Sequence, residues 1–186
     1  MKQILAIAVL VVLVAALVNP TAQAQNAFNQ KDMVLSAGLG LGLYGLYGSS
    51  SLPPIFVAFE TGVADKITVG GIVAYAGSSE DFSYGSWKYS YIVIAARGAY
   101  HFLENNKKFD AYAGAGLGYD IVSASTTWRS PADQQLYGNF YSASASYFFF
   151  DVFLGGRYYF SPKFAAMGEV GYGVGFLRLG LSYKLN

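Results

Sequence analysis

The chain contains no cysteine, a single histidine and few charges. Without cysteine there is no disulfide framework, no thiol chemistry, no thiolate metal site and no lipid-modified N-terminal cysteine. Only 12% of the 186 residues are charged, with twelve Lys and Arg against eleven Asp and Glu. That balance supplies no basic field for phosphates and argues against a nucleic-acid partner. Acidic residues are scattered, with no D-x-D-x-D-G loop, so no calcium or zinc site is expected, and no cofactor. Disorder is also excluded, because 54% of the residues are hydrophobic and 17% aromatic, which leaves ample surface to bury. The length fits one domain once a removable segment is subtracted.

The first 24 residues read as that segment. Met1–Lys2–Gln3 is a short positive start, and Ile4 to Val18 is an apolar run of fifteen residues. Asn19–Pro20 breaks the run, and Ala22–Gln23–Ala24 places small residues at the −3 and −1 positions of a cleavage site. A transmembrane anchor wants about 20 apolar residues. A secretory signal peptide over 1–24 is the better reading. A periplasmic N-terminal segment over 25–32 and a barrel domain over 33–186 would follow. With Lys2 removed, the mature chain carries eleven basic and eleven acidic groups.

No second apolar stretch of about 20 residues exists, so no transmembrane helix is available. Short alternating segments appear instead, the signature of strands. Eight are expected, over 33–46, 54–64, 66–76, 88–102, 109–123, 146–160, 163–172 and 176–185. Tight polar turns at Asp65–Lys66, Glu104–Lys108 and Ser161–Pro162 alternate with longer links over 48–53, 77–87 and 124–145. The last link, around Gly173–Gly175, is short. An even number of antiparallel strands with tight turns at one end describes an up-and-down transmembrane β-barrel.

The two faces of each strand set its orientation. In the fourth segment Ile92, Ile94, Ala96, Gly98, Tyr100 and Phe102 oppose Val93, Ala95, Arg97, Ala99 and His101. In the fifth, Ala111, Ala113, Ala115, Leu117, Tyr119 and Ile121 oppose Asp110, Tyr112, three glycines and Asp120. Charges on the lipid-facing side at mid-depth would cost about 2–4 kcal/mol each. Eight strand charges fall on the opposite face: Glu60, Arg97, Asp120, Asp151, Arg157, Glu169, Arg178 and Lys184. A soluble, lipocalin-like barrel would invert that pattern. Glycines on the charged face make room in a lumen that eight strands leave only just wide enough for side chains. Outward aromatics, Phe102, Phe109, Tyr158, Phe160, Phe164 and Tyr183 at one end and Tyr75 and Phe148 at the other, suit interfacial girdles.

These segments carry a family resemblance. AGLGLGLYG (37–45), PPIFVAFETGVADKITVGGIVAYAG (53–77), YSYIVIAARGAYHF (89–102), FDAYAGAGLGYDIVS (109–123) and LRLGLSYKL (177–185) together resemble the eight-stranded outer-membrane β-barrels of OmpA/OmpX type, in the compact form common among Bacteroidetes. The resemblance covers essentially all of the mature chain. It implies the outer membrane of a Gram-negative bacterium, contact with lipid and lipopolysaccharide, insertion by the barrel assembly machinery and a monomeric state. It implies no reaction. Such barrels usually finish on an aromatic read by that machinery, whereas this chain ends Tyr183–Lys184–Leu185–Asn186.

Several constellations invite chemistry. Gly40 to Gly45 matches G-x-G-x-x-G, but dinucleotide binding requires a strand before it and a helix after it; here small lumen residues and a turn glycine suffice. The eight inward charges, four acidic and four basic, are expected to pair, since buried charges persist only when paired and hydrogen-bonded. By strand direction Glu60, Arg97, Arg157 and Glu169 lie near or below mid-height, and Asp120, Asp151 and Arg178 higher. The set reads first as a salt-bridge plug, with a re-pairing gate over a narrow ion path as the alternative. Catalytic carboxylates fit less well, because arginine neighbours hold a carboxylate ionised. His101, the general-base candidate of a lipid A-modifying enzyme, sits beside the periplasmic turn, far from the outer leaflet, and reads as a polar residue at the barrel rim. The long link over 124–145 carries Trp128, Arg129, Tyr137, Phe140 and Tyr141 amid polar residues, candidates for contact with an extracellular protein or glycan. Strand extension above the membrane accounts for that link equally well.

Overall fold

The computed structural model describes residues 27–42, 49–103, 106, 108–137 and 142–186. The expected signal peptide over 1–24 lies outside these residues. Eight strands are present: β1 Met33–Leu41, β2 Ser49–Ala64, β3 Ile67–Phe82, β4 Gly85–His101, β5 Phe109–Trp128, β6 Ser142–Tyr159, β7 Phe164–Tyr172 and β8 Leu177–Lys184. Each pairs antiparallel with the next, and β1 pairs with β8 to close the ring. Every expected strand exists with the expected face inward. β1 is described only to Leu41, and the rest of its expected span, including Leu43 to Gly45 of the glycine motif, lies outside the described residues.

Two expected loops are mostly strand. The link over 77–87 is the continuation of β3 and β4, paired from Gly77↔Ser90 up to Phe82↔Gly85. Only Ser83 and Tyr84 turn the chain. The link over 124–145 is occupied by the upper ends of β5 and β6 and by a short helix, α1 Pro131–Tyr137. Serine, threonine and tyrosine dominate these stretches, and the polarity that suggested loops reflects water on both faces of strands above the membrane.

The strand lengths divide the barrel into a low wall and a high one. β1, β7 and β8 have 9, 9 and 8 residues. That is close to the roughly 9–11 needed to span a bilayer. β2 to β6 run to 16, 16, 17, 20 and 18 residues. They project beyond the rim as one continuous sheet. Outside, the spanning portions present apolar side chains, among them Leu35, Val57, Val73, Ile94, Leu117, Phe150, Leu154 and Leu179. Aromatics flank this belt, with Tyr100, Phe102, Phe109, Tyr158 and Phe164 toward the periplasm and Tyr75, Tyr119, Phe148, Tyr172 and Phe176 at the other end.

The charged lumen and its two closures

Alternation along β2, β4, β5, β6, β7 and β8 turns one polar side chain after another into the same narrow space. Asp110 and His101 start the series at the periplasmic end, 2.7 Å apart. Arg157 lies 3.6 Å from Asp110 and is hydrogen-bonded to Glu60. Arg97 Nε is 3.3 Å from Glu60, and its Nη2 donates to Glu169 at 2.6 Å. Glu169 faces Arg178 Nε at 2.8 Å, and Arg178 Nη1 donates to Asp151 at 2.9 Å. All eight residues are buried. A charge so placed survives only by satisfying its neighbours, and here each carboxylate meets at least one cation.

Aromatic rings hold the series in place. The Tyr112 hydroxyl donates to Glu169 at 2.8 Å, and the Arg157 guanidinium lies over the Tyr112 ring, 4.5 Å from its centre. Phe153 sits beneath two guanidiniums, 3.9 Å from that of Arg97 and 5.2 Å from that of Arg178. Weakly hydrated guanidiniums favour such ring faces. Gly155 provides the space: a Cβ there would stand 2.7 Å from Glu169 Cγ and 2.8 Å from Tyr112 Cε2.

Six of the eight expected lumen residues belong to this network: Glu60, Arg97, Asp151, Arg157, Glu169 and Arg178. The other two do not. Lys184 pairs instead with Asp32, whose Oδ2 accepts from Nζ at 2.7 Å. Asp120 lies further up β5, opposite Val93 and Tyr147, and takes no part in the network. Sequence reasoning left out Asp110, His101 and Asp32. Asp110 was legible from parity, since it shares a face with Tyr112. It is the second residue of its strand, beside a polar turn, and is not among the eight expected lumen residues. His101 is correctly located at the periplasmic end, but it is buried beneath the chain rather than standing at an open rim.

What covers it is the segment before β1. Residues 27–32 form a strap across the periplasmic mouth, tied to the barrel by its backbone. Ala27 N donates to Asn106 O at 2.7 Å, Lys31 N donates to Gly62 O at 2.9 Å, and Gly62 N returns a bond to Asp32 O at 2.8 Å. Lys31 turns the strap with φ of 73°. Lys184 Nζ also reaches Ala27 O at 3.0 Å. Phe28 lies flat on His101, with ring centres 3.9 Å apart and planes within 6°.

The other end is packed with apolar side chains. Phe56, Ala58, Ile72, Ala74, Ala76, Tyr91, Val93 and Ala95 form a buried cluster with Met167 and Val174. On β2 and β4 this cluster begins one inward step above Glu60 and Arg97. Val174 enters from the turn between β7 and β8, which Gly173 and Gly175 shape with φ of 125° and 142°. The sequence expectation of a lumen filled by charge therefore holds for its lower part only.

At the projecting end, Trp128 packs edge-on against Phe82, 6.0 Å between ring centres, and Phe82 also meets Trp87 at 6.0 Å. Arg129 is exposed, and its N and Nη1 donate to Tyr84 O at 2.9 Å and Ser83 O at 3.3 Å, fastening two neighbouring hairpins. Tyr84 is exposed at the tip. Tyr137 is the last residue of α1. Phe140 and Tyr141 lie outside the described residues.

No protein-family model and no curated protein matches this sequence. Solved structures do match its fold. The N-terminal β-barrel domain of Pseudomonas aeruginosa OprF is similar at 15% identity and a TM-score of 0.52, covering 85% of this chain and 100% of that one. Ail, the attachment invasion locus protein of Yersinia pestis, is similar at 13% identity and a TM-score of 0.51, covering 84% of this chain and 99% of that one. Ail in complex with the heparin analogue sucrose octasulfate matches at 14% identity and a TM-score of 0.51, covering 83% and 96%. In a bilayer core every backbone polar group must be satisfied, which leaves closed barrels as the only strand-built spanning form. With its ring closed, its charges inside and an apolar belt between aromatic girdles, this chain has the fold of an eight-stranded transmembrane β-barrel.

Proposed function

We propose that the protein is a closed, non-conducting barrel whose role is interaction at the cell surface through its projecting sheet. The unequal strand lengths carry this reading. Membrane spanning needs only the length of β1, β7 and β8, and the excess of β2 to β6 places ordered backbone and side chains in the medium. β6 has β5 on one side throughout, but its pairing with β7 reaches no higher than Val152↔Tyr172. Above that pair β6 has no strand partner on this side among the described residues, which leaves a template for an extended segment of another protein. The exposed Tyr84 beside Phe82, Trp87 and Trp128 favours a glycan as the second class of ligand, and the sucrose octasulfate complex of Ail supports the same class. Outer-leaflet lipid and lipopolysaccharide contact the belt, the barrel assembly machinery inserts the chain, and the barrel acts as a monomer. Re-pairing of the charges into an ion path is the weaker reading, because the apolar layer lies in series with them.

The test combines two measurements on purified protein in lipid. Planar-bilayer recordings are expected to show no stable conductance, and steady single-channel steps would refute the closed lumen. Vesicles bearing the protein are expected to bind immobilised heparin or extracellular-matrix protein. A variant in which the β3–β4 hairpin is shortened to a two-residue turn after the Gly77↔Ser90 pair should lose that binding while still folding. Equal binding by the shortened variant would refute the role of the sheet.

A further inference from the structure

The buried network has an odd charge count. Glu60, Asp110, Asp151 and Glu169 supply four negative charges, and Arg97, Arg157 and Arg178 supply three positive ones. Lys184 does not fill the gap, because it is matched by Asp32. Among the described residues the group placed to do so is His101, whose Nδ1 lies 2.7 Å from Asp110 Oδ1 and whose Nε2 lies 3.2 Å from Thr68 Oγ1. Both ring nitrogens thus face an oxygen able to accept, the arrangement an imidazolium requires. The flat stacking of Phe28 on this ring adds a π face above the cation.

We infer that His101 is a proton-binding site that completes the lumen's charge balance and, through Phe28, holds the N-terminal strap across the periplasmic mouth. The groups that face it come from four elements. Asp110 and Tyr112 are on β5, Thr68 on β3, Phe28 on the strap and Glu60 on β2, while Arg157 and Tyr159 on β6 stand one step behind, beside Asp110. Asp32 and Lys184 form the adjoining neutral pair. In the protonated state the network is neutral and the strap is stacked on a cation. When the proton leaves, four carboxylates face three guanidiniums in a buried space, the Nδ1–H bond to Asp110 loses its charge assistance while Nε2 turns to accept from the Thr68 hydroxyl, and Phe28 stacks on a neutral ring. Each change weakens the same corner. Strap closure is therefore favoured while the His101 ring carries its extra proton and loosened once that proton is lost. Imidazole is the side chain suited to such a switch near neutral pH. This inference does not depend on what the projecting sheet binds.

The experiment uses the wild-type barrel in nanodiscs from about pH 5 to 9, the span around an ordinary imidazole titration. Nitrogen NMR shifts of the only imidazole report its protonation. Hydrogen-exchange protection factors of the Ala27, Lys31 and Gly62 amides, corrected for intrinsic rates, report the strap. The imidazole is expected to be protonated at the acid end, and protection is expected to fall about tenfold, the worth of one charge-assisted hydrogen bond, with the same midpoint as the ring titration. His101→Gln should lower protection at every pH and abolish its pH dependence. Adding Asp110→Asn to His101→Gln restores three charges against three and should recover most of the protection. A ring that is neutral across the whole range, protection that ignores its titration, or pH dependence that persists in His101→Gln would overturn the inference. So would a double variant looser than the single one, which would make the pair a matter of packing alone. The wild-type titration decides the matter even if a variant fails to fold.

Discussion

Replacing Arg97 by Met and Glu169 by Gln, singly and together, isolates the central pair of the lumen. Their closest atoms are 2.6 Å apart and both side chains are inaccessible to water. Arg97→Met keeps a flexible side chain against Phe153 but leaves Glu60 and Glu169 with one guanidinium each, Arg157 and Arg178. Two guanidiniums then face four carboxylates. Glu169→Gln does the reverse and leaves Arg97 with Glu60 alone at 3.3 Å. Removing one member of a buried pair costs about 3–5 kcal/mol, because the other charge remains and cannot reach solvent. The double variant differs. It keeps Glu60 with Arg157 and Asp151 with Arg178, and three carboxylates against two guanidiniums reproduce the wild-type imbalance of one. It should be no less stable than the worse single variant, with a coupling energy of roughly 2–3 kcal/mol. The assay is a urea titration of folding into lipid vesicles, read as the fraction migrating in the compact form on unheated gels. Tryptophan fluorescence is the wrong signal, because both tryptophans, Trp87 and Trp128, lie in the projecting sheet. Single variants within about 1 kcal/mol of wild type, as for exposed pairs, or a double variant equal to the sum of the singles within about 0.5 kcal/mol, would refute a self-neutralising lumen.

Two further perturbations test the filling of the lumen and the position of the belt. Gly155→Ala places a Cβ 2.7 Å from Glu169 Cγ and 2.8 Å from Tyr112 Cε2, and should cost about 1–3 kcal/mol in the same titration as an overpacked core does; no loss would mean that the lumen has slack. Leu117→Arg puts a cation on a strongly exposed position at mid-belt and should cost about 2–4 kcal/mol, whereas Ser144→Arg on the projecting part of β6 should stay within about 0.5 kcal/mol. Equal effects at the two positions would disprove the assigned membrane boundary.

The fold was legible because a barrel wall obeys one rule along its whole length. Period-two alternation fixed which face of each strand looks inward, and a single parity slip would have put Arg97 or Asp151 in lipid. Strand ends were less legible. Above the membrane strand residues such as Glu80, Ser125 and Ser144 meet water and fit a strand as well as a loop, and the alternation that marks a strand fades. Within the site, parity gave six network members but not their partners. Lys184 faces inward as expected, yet its anion, Asp32, comes from a segment that precedes the barrel and carries no strand pattern. Asp120 shows the opposite failure. It has the right parity, but pairing depends on height, and Gly116 and Gly118 carry β5 past Asp151 before Asp120 is reached. Height follows from strand tilt and stagger, which a sequence read one strand at a time does not contain.

The two ends of the lumen are filled with different materials, and the wall explains why. On the periplasmic side a single crossing segment can leave the β1–β2 ladder, where Lys31 and Asp32 pair with Gly62, span the mouth and find a backbone partner on its far side, as Ala27 does with Asn106. On the opposite side the rim is uneven: β7 and β8 stop low while β2 to β6 continue. A strap laid there would have backbone partners along one side only. The low wall instead folds its own turn inward, burying Val174 against apolar residues of β2 to β4, a contact that is non-directional and needs no partner atoms in register. Below that layer a charge network can stay dry and paired; above it, the sheet is free to carry polar and aromatic side chains without letting water down to Arg178. A conducting state would have to lift the strap, displace the Val174 turn and re-pair the guanidiniums together. The geometry therefore ties the apolar filling of the upper lumen to the same strand asymmetry that lifts the sheet away from the membrane.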